Sequence, residues 1–190
     1  MMVNSKSNDS GKPGKVGDQW RTPQEVFDAL NREFSFCVDM AATKRNSLCD
    51  TFFDEQNDSL GFDWAETINS MYLLSANKYV WCNPPYSNPM PWVKKAIEAQ
   101  SNGLGVVMLL NNDVSVGWFA EALTTVSEIR HITGDKKENS NGYHSGRLAF
   151  LNHNGDPING NNKPQFILVF NPFKIGARVT TYIHRSELYK

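Results

Sequence analysis

The stretch KYVWCNPPYSNPMPW, from Lys78 to Trp92, places a strand, a proline-rich loop and a helix in direct succession. Its first five residues favour a β-strand, and Asn-Pro-Pro-Tyr follows at once, from Asn83 to Tyr86. Proline has no backbone donor and holds the preceding residue out of helix, so the strand KYVWC is expected to end just before Asn83. The apolar periodicity that begins near Met90 predicts an amphipathic helix directly after this loop.

Helix and strand patterns continue on both sides of this stretch. Thr22 as N-cap and Pro23 at the first helical position predict a helix over 22–34. SFCVD then predicts a buried strand that ends at Asp39, and GVVMLL predicts a strand of the kind found in parallel sheets. A helix is predicted over 116–126, and strands are predicted over 127–132, 147–151 and 165–170.

This order predicts an α/β fold with three layers and a mostly parallel sheet. No helix pattern separates residues 147–151 from 165–170, so these two segments are expected to close the sheet as a C-terminal antiparallel hairpin. Ligands of such sheets bind beyond the carboxyl ends of the strands. Asp39 and Asn83 both fall at such ends and are the first candidates for a functional site.

The length of 190 residues suits one domain. Residues 1–17 are almost free of apolar side chains and are expected to be a disordered tail, which leaves 18–190 as a single domain. We expect a cytoplasmic protein, because the sequence shows no apolar leader and no run long enough to span a bilayer. The three cysteines and four histidines lack ligand spacing, so no metal site is expected.

Charge is unevenly distributed along the chain. Residues 21–75 carry a net charge of −6, whereas residues 131–190 carry +4. Such a division suits a protein that turns one face toward a polyanion, although chance unevenness on a solvated surface gives the same pattern. Two polar loops, 134–146 and 152–164, lie in the basic part.

The Asn-Pro-Pro-Tyr loop offers unusual hydrogen-bonding chemistry. The Asn83 side chain and the Pro84 carbonyl form a rigid pair of neutral acceptors, and Tyr86 adds a flat aromatic surface. Two adjacent acceptors match the two N–H bonds of a primary amino group, and accepting both frees the nitrogen lone pair for attack. A proline-rich turn into a helix is the ordinary alternative.

These residues resemble the [DNS]-P-P-[YFW] signature of S-adenosylmethionine-dependent amino methyltransferases. The wider chain resembles the phage-type DNA N6-adenine methyltransferases of the Dam family. The stretches that carry this resemblance cover most of residues 18–170: DQWRTPQEVFDAL, FCVDMAAT, VWCNPPYSNPMPWV, VVMLLNNDVSVGWF and INGNNKPQFILVF. The resemblance implies a Rossmann-like methyltransferase fold.

The resemblance also implies roles for individual residues. The catalytic positions fall on Asn83, Pro84, Pro85 and Tyr86. The predicted contacts to S-adenosylmethionine come from the following residues: Trp20, Thr22, Pro23, Asp39, Ala41, Asn83, and one or more of Asp54, Asp58 and Asp63. Two departures stand out, because VDMAAT lacks the glycine-rich loop common after the first strand, and NNKPQ replaces the NNKGS pattern near the last strand.

The implied reaction is methyl transfer from S-adenosylmethionine to the N6 amino group of an adenine flipped out of duplex DNA. Lys136, Lys137, Arg147 and Lys163, in or beside the two polar loops, are the predicted DNA contacts, and these loops are otherwise ordinary surface loops. The alternatives are methylation of amino groups in protein glutamine or RNA, and a catalytically silent relative that binds DNA or the cofactor. The oligomeric state stays open between monomer and dimer.

Overall fold

The computed structural model describes residue 18 and residues 20–54, 58–73, 78–158, 161–173 and 176–190. The predicted tail, residues 1–17, lies outside the described residues. Four α-helices, six strands and a short C-terminal 3-10 helix make up the regular structure of the described chain. In chain order they are α1 (Gln24–Phe34), β1 (Phe36–Asp39), α2 (Trp64–Met71), β2 (Tyr79–Cys82), α3 (Met90–Ser101), β3 (Gly105–Asn111), α4 (Gly117–Ala122), β4 (Glu128–Thr133), β5 (Gln165–Phe170), β6 (Val179–His184) and the 3-10 helix (Arg185–Tyr189).

The six strands form one mixed sheet in the order β1-β2-β3-β5-β4-β6. β1, β2 and β3 pair in parallel, as do β4 and β6, whereas β5 is antiparallel to both β3 and β4. Of the strands in the described chain, β5 alone therefore runs against the others. The carboxyl ends of β1, β2, β3 and β4 lie at one edge of the sheet, which we name the carboxyl edge.

The sheet is covered on both faces, and the alternation along β3 shows this directly. Val107 and Leu109 belong to a core that includes Leu30 of α1. Val106 and Met108 point to the opposite face and join a core formed with α2, α3 and α4. A strand buried on both faces reads as a continuous apolar run, which is what GVVMLL is. The expected three-layer α/β arrangement with a mostly parallel sheet is confirmed.

The predicted hairpin between residues 147–151 and 165–170 is wrong. Residues 147–151, which we name the strap, do not form a strand of the sheet, and the antiparallel pair is made by β4 and β5 instead. The strap's backbone is held by side chains: the Leu148 N–H donates to Gln165 Oε1 at 3.3 Å, and Asn161 Nδ2 donates to the Leu148 carbonyl at 3.0 Å. These bonds replace the ladder bonds that a neighbouring strand supplies.

Three other expectations differ from the structure. Thr22 is not the N-cap of α1, because Pro23 occupies that position and no side chain caps the helix. The helix predicted over 116–126 is shorter, from Gly117 to Ala122. The strand β6 is not among the strands predicted from the sequence, although the β-branched content of VTTYIH favours a strand. No helix in the described part of the chain is long and apolar enough to cross a membrane.

Gln165 is the residue on which the strap depends most. It is fully buried, and its amide also donates to the Lys163 carbonyl at 2.7 Å and accepts from Asn161 Nδ2 at 3.1 Å. Gln165→Met keeps the length of the side chain but leaves the buried Leu148 N–H without a partner. We expect the free energy of unfolding, measured by urea denaturation, to fall by about 2–4 kcal/mol.

Gln100→Met is the matched control. Gln100 is equally buried, at 2% exposure, but its side chain donates a hydrogen bond only to Ser127 Oγ at 3.0 Å among the described residues. Its replacement is expected to cost about 1 kcal/mol. Equal losses for the two variants would contradict the role given to Gln165.

Candidate active site

The Asn-Pro-Pro-Tyr loop begins at the carboxyl edge, where β2 ends at Cys82. Asn83 is half-buried, and its Nδ2 donates a hydrogen bond to Thr22 Oγ1 at 3.1 Å. Its Oδ1 is buried and has no hydrogen-bond partner among the described residues. Buried polar atoms are nearly always paired in folded proteins, so an orphaned acceptor at this position indicates a missing ligand.

Thr22 reaches Asn83 because the segment before α1 is tied to the strap. The Arg21 N–H donates to the Leu151 carbonyl, and the Leu151 N–H donates to the Arg21 carbonyl, both at 2.9 Å. Thr22 itself is only 5% exposed. A hydroxyl held in this way keeps the Asn83 side chain in one orientation, with the amide nitrogen occupied and the oxygen available.

A cavity of about 310 Å³ opens beside Asn83. Its size is within the range of small-molecule sites. The structure brings most of the predicted cofactor residues together around it: Trp20, Thr22, Asp39, Ala41, Asp54, Asp58 and Asn83, with Pro85 of the loop. The remaining predicted cofactor and catalytic residues, Pro23, Asp63, Pro84 and Tyr86, do not line the cavity in the described chain.

Asp39 is the most perturbed acid of the cavity. It is 3% exposed, and its two carboxylate oxygens accept the backbone N–H groups of Ala41 at 3.2 Å and Leu48 at 3.3 Å. Burial raises its pKa to about 6, because desolvation of the charged form outweighs these two hydrogen bonds. A buried carboxylate with so little compensation favours a cationic group in the cavity.

Asp63 serves the fold instead. Its side chain accepts the Glu66 N–H at 2.9 Å as the N-cap of α2, and it also accepts from Asn102 Nδ2 at 3.2 Å. Pro23 is the N-cap residue of α1, next to Thr22. Asp63 and Pro23 therefore belong to the starts of α2 and α1, and neither lines the cavity.

Several residues that line the cavity are not among those predicted from the sequence. They include Asp18, Arg21, Asn46, Phe53, Trp81 and Trp92. Phe53 enters because residues 51–53 extend along β1, where the Phe53 N–H donates to the Asp39 carbonyl at 2.9 Å. The apolar pair in DTFF is the signal that could have indicated this short extension, whereas Trp92 follows from its place in the first turn of α3.

Tyr86 follows Pro85 in the loop and does not line the cavity among the described residues. Its ring is half-buried and meets the ring of Phe150 edge-on, with centroids 6.1 Å apart and an interplanar angle of 79°. Its hydroxyl is buried without a partner in the described chain. Burial raises the pKa of Tyr86 above its ordinary value, so the phenol stays protonated at neutral pH.

The predicted DNA contacts lie on the long connection between β4 and β5. Lys136, Lys137, Arg147 and Lys163 are all exposed. Residues 135–144 fold back on themselves, because Lys136 bridges to Tyr143 and the Lys137 N–H donates to the Gly142 carbonyl at 3.0 Å. The two lysines border a shallow depression with Asp135, Glu138, His144 and Ser186, which Arg147 and Lys163 do not share among the described residues.

Comparison with known proteins gives consistent matches over nearly the whole chain. A model of the family described as DNA N-6-adenine-methyltransferase (Dam) matches residues 9–190. A "DNA N-6-adenine-methyltransferase" of Escherichia phage T1 is 37% identical over 177 residues, which cover 90% of this chain and 70% of the relative. A protein with the same name from Haemophilus phage HP1 is 32% identical over 193 residues, which cover 99% of this chain and 96% of the relative.

These matches confirm the resemblance that the motifs predicted. The match extends over the N-terminal segment, the Asn-Pro-Pro-Tyr loop and the connection that carries the strap, so it does not rest on one motif. The chain belongs to the DNA N-6-adenine-methyltransferase (Dam) family.

Proposed function

We propose that this protein transfers a methyl group from S-adenosylmethionine to the N6 amino group of adenine in duplex DNA. The observation that carries the proposal is the buried, unpartnered Oδ1 of Asn83 beside a cavity of about 310 Å³. Family membership supports adenine as the methyl acceptor. The antiparallel β5 beside a parallel set of strands, with the cavity at the carboxyl edge, supports a Rossmann-like methyltransferase fold in a single domain over 18–190.

The residues of the cavity fit S-adenosylmethionine. Asp18, Asp39, Asp54 and Asp58 suit a ligand with a positively charged sulfonium and a positively charged amino group. The aromatic side chains of Phe53 and Trp92 suit an adenine ring. When bound, the cofactor supplies an electrophilic methyl group on sulfur. In this assignment Asp39 holds the amino group, Trp20 and Thr22 lie at the methionine end, and Asp54 or Asp58 holds the ribose.

In the proposed mechanism, Asn83 Oδ1 accepts one N–H of the target amino group, and the Pro84 carbonyl accepts the other. Adenine N6 is a poor nucleophile, because its lone pair is delocalised into the ring. Two acceptors stabilise the positive charge that develops on nitrogen as the new bond forms, so they act mainly in the transition state. The methylated nitrogen is strongly acidic before it loses its proton, and water is a sufficient acceptor.

The target adenine has to leave the duplex, because its N6 is hidden inside the helix, and flipping costs a few kcal/mol. We assign the flipped base to the Tyr86 side of Asn83 and the cofactor to the cavity side. Stacking of the base on an aromatic ring contributes about 1–3 kcal/mol, which offsets part of the flipping cost.

The exposed cations of the β4–β5 connection are assigned to the phosphate backbone. Lys136 and Lys137 stand on the folded-back segment 135–144, while Arg147 and Lys163 flank the strap and the start of β5. The connection that carries all four leaves β4 and enters β5 at the carboxyl edge, where Asn83 lies. If the protein is phage-encoded, it acts in the cytoplasm of the host cell, where its DNA substrate lies.

Incubation with methyl-labelled S-adenosylmethionine and duplex DNA, followed by digestion to nucleosides, is expected to yield N6-methyladenine. Asn83→Ala removes one acceptor, and we expect transfer to fall at least about a hundredfold, equivalent to about 2.7–4 kcal/mol. Binding of S-adenosylhomocysteine to this variant, measured by calorimetry, is expected to persist.

Parallel reactions with RNA and with protein extract serve as controls for substrate class. Label in RNA or in glutamine would refute DNA as the substrate. Binding of S-adenosylhomocysteine without any transfer would identify a silent relative. Sequencing of the labelled DNA also identifies the target site.

Thr22→Val tests whether Thr22 positions the Asn83 amide. Valine has a similar shape but leaves Asn83 Nδ2 without its acceptor, at a cost of about 1–2 kcal/mol. We expect kcat at saturating cofactor to fall about tenfold, whatever smaller change the loss of a cavity-lining hydroxyl makes in the dissociation constant of S-adenosylhomocysteine. Thr22→Ser keeps the hydroxyl and should retain activity. If Thr22 acts only on the cofactor, the dissociation constant rises instead and kcat at saturation is unchanged.

The raised pKa of Asp39 predicts a pH dependence of cofactor affinity. The carboxyl group is neutral below about pH 6 in the free protein, and binding of an ammonium group requires its ionised form. Binding therefore lowers this pKa, and the affinity for S-adenosylhomocysteine should weaken by up to about tenfold for each pH unit below 6. Titration calorimetry from pH 5 to 8 measures this decline. Asp39→Asn should bind weakly and without the decline, and a wild-type affinity that is flat across this range would exclude the role of Asp39.

A further inference from the structure

Phe150 of the strap lies between two parts of the site. It is fully buried, and its ring is 5.8 Å from the ring of Trp20 and 6.1 Å from that of Tyr86, centroid to centroid. Trp20 lines the cavity, and Tyr86 belongs to the Asn-Pro-Pro-Tyr loop. One buried side chain therefore contacts both the cavity wall and the loop next to the reacting nitrogen.

The backbone around Phe150 is fixed on several sides. Its carbonyl accepts the Ile158 N–H at 2.7 Å, and the preceding Ala149 N–H donates to the Tyr189 hydroxyl at 3.1 Å. Leu151, the next residue, is paired with Arg21 in both directions. These bonds fix the Phe150 backbone, and close packing around the fully buried ring restricts its side-chain torsions, so a displacement of one neighbouring ring presses on the other through Phe150.

We propose that Phe150 is a positioning residue that couples occupation of the cavity to the orientation of the Tyr86 ring. This inference rests on the proposed function, because it takes the cavity as the cofactor site and Tyr86 as the surface for the flipped base. A ligand that contacts Trp20 fixes the indole. The close-packed ring of Phe150 then restricts Tyr86 to the orientation that receives the base.

The edge-on geometry makes the contact between Phe150 and Tyr86 depend on the orientation of the Tyr86 ring. Aromatic rings at an interplanar angle of 79° gain from a specific alignment of edge and face, which a turn of the Tyr86 ring removes. The Tyr86 hydroxyl adds no such constraint, because it has no partner in the described chain. Among the described aromatic side chains, Phe150 is the one that touches both Trp20 and Tyr86.

Coupling is measured as a ratio of affinities. S-adenosylhomocysteine is titrated into the full-length protein by calorimetry, with and without a saturating duplex that carries the mapped target site. We expect the duplex to tighten binding at least about fivefold in the wild type, within the range usual for coupled sites. In Phe150→Leu the ratio is expected to fall to within about twofold of unity, while each ligand still binds alone.

Phe170→Leu is the matched control. Phe170 is also fully buried, but it lies on the other core, opposite Val106 at the far end of the sheet. It should keep the wild-type ratio. A 2-aminopurine base at the target position gives a second readout, because S-adenosylhomocysteine should increase its fluorescence in the wild type and Phe170→Leu but not in Phe150→Leu. Phe150→Met replaces Phe150→Leu if the latter is unfolded by circular dichroism.

The outcomes are separable. Loss of coupling in both variants would show a general effect of core damage and overturn the inference. Coupling that persists in Phe150→Leu would also overturn it, and so would the absence of coupling in the wild type. A wild-type protein that does not bind S-adenosylhomocysteine at all would refute the proposed function itself, and this inference with it.

Discussion

The hydrogen bond between Asn83 Nδ2 and Thr22 Oγ1 is the contact on which the arrangement of the site depends. It joins the end of β2 to the segment before α1, and it occupies the amide nitrogen so that the oxygen stays available. Asn83 Oδ1 is then buried without a partner in the part of the chain that the structure describes. An unpaired buried acceptor costs about 1–3 kcal/mol, so the fold tolerates a local instability at the position where a ligand's N–H would relieve it.

Asp39 shows the same principle one strand away. The parallel pairing of β1 with β2 places Asp39 opposite Trp81, so the buried carboxylate and the Asn-Pro-Pro-Tyr loop share the carboxyl edge. Its pKa of about 6 measures how poorly the free protein compensates the charge. Both groups are incomplete in the free protein, one as an acceptor and the other as an anion. Asn83 lacks an N–H donor and Asp39 lacks a cation, so the two groups suit two different ligands.

Features of the site that local contacts determine are predictable from the sequence, whereas features that distant contacts determine are not. The end of β2 just before Asn83 follows from proline stereochemistry, and Asp39 follows from the end of an apolar run. Thr22 was misread as a helix cap, because Thr-Pro is a valid local signal, whereas its actual partner is 61 residues away. The strap, residues 147–151, was misread as a strand for a related reason. Its composition suits a strand, but side-chain amides and isolated bridges to Arg21 and Pro157 hold it in place of a neighbouring strand.

The Asn-Pro-Pro-Tyr loop combines a fixed backbone with one side chain that contacts the strap. Asn83, Pro84 and Pro85 have little local freedom, because two adjacent prolines fix the backbone. The adjustable part is Tyr86, whose ring orientation is set by tertiary contact with Phe150 and not by the prolines. The β4–β5 connection that supplies this contact also carries the exposed lysines. One segment thus carries exposed lysines and the ring that contacts Tyr86, so under the proposed function it links DNA contact to the orientation of the target base, while the two prolines keep the loop backbone fixed.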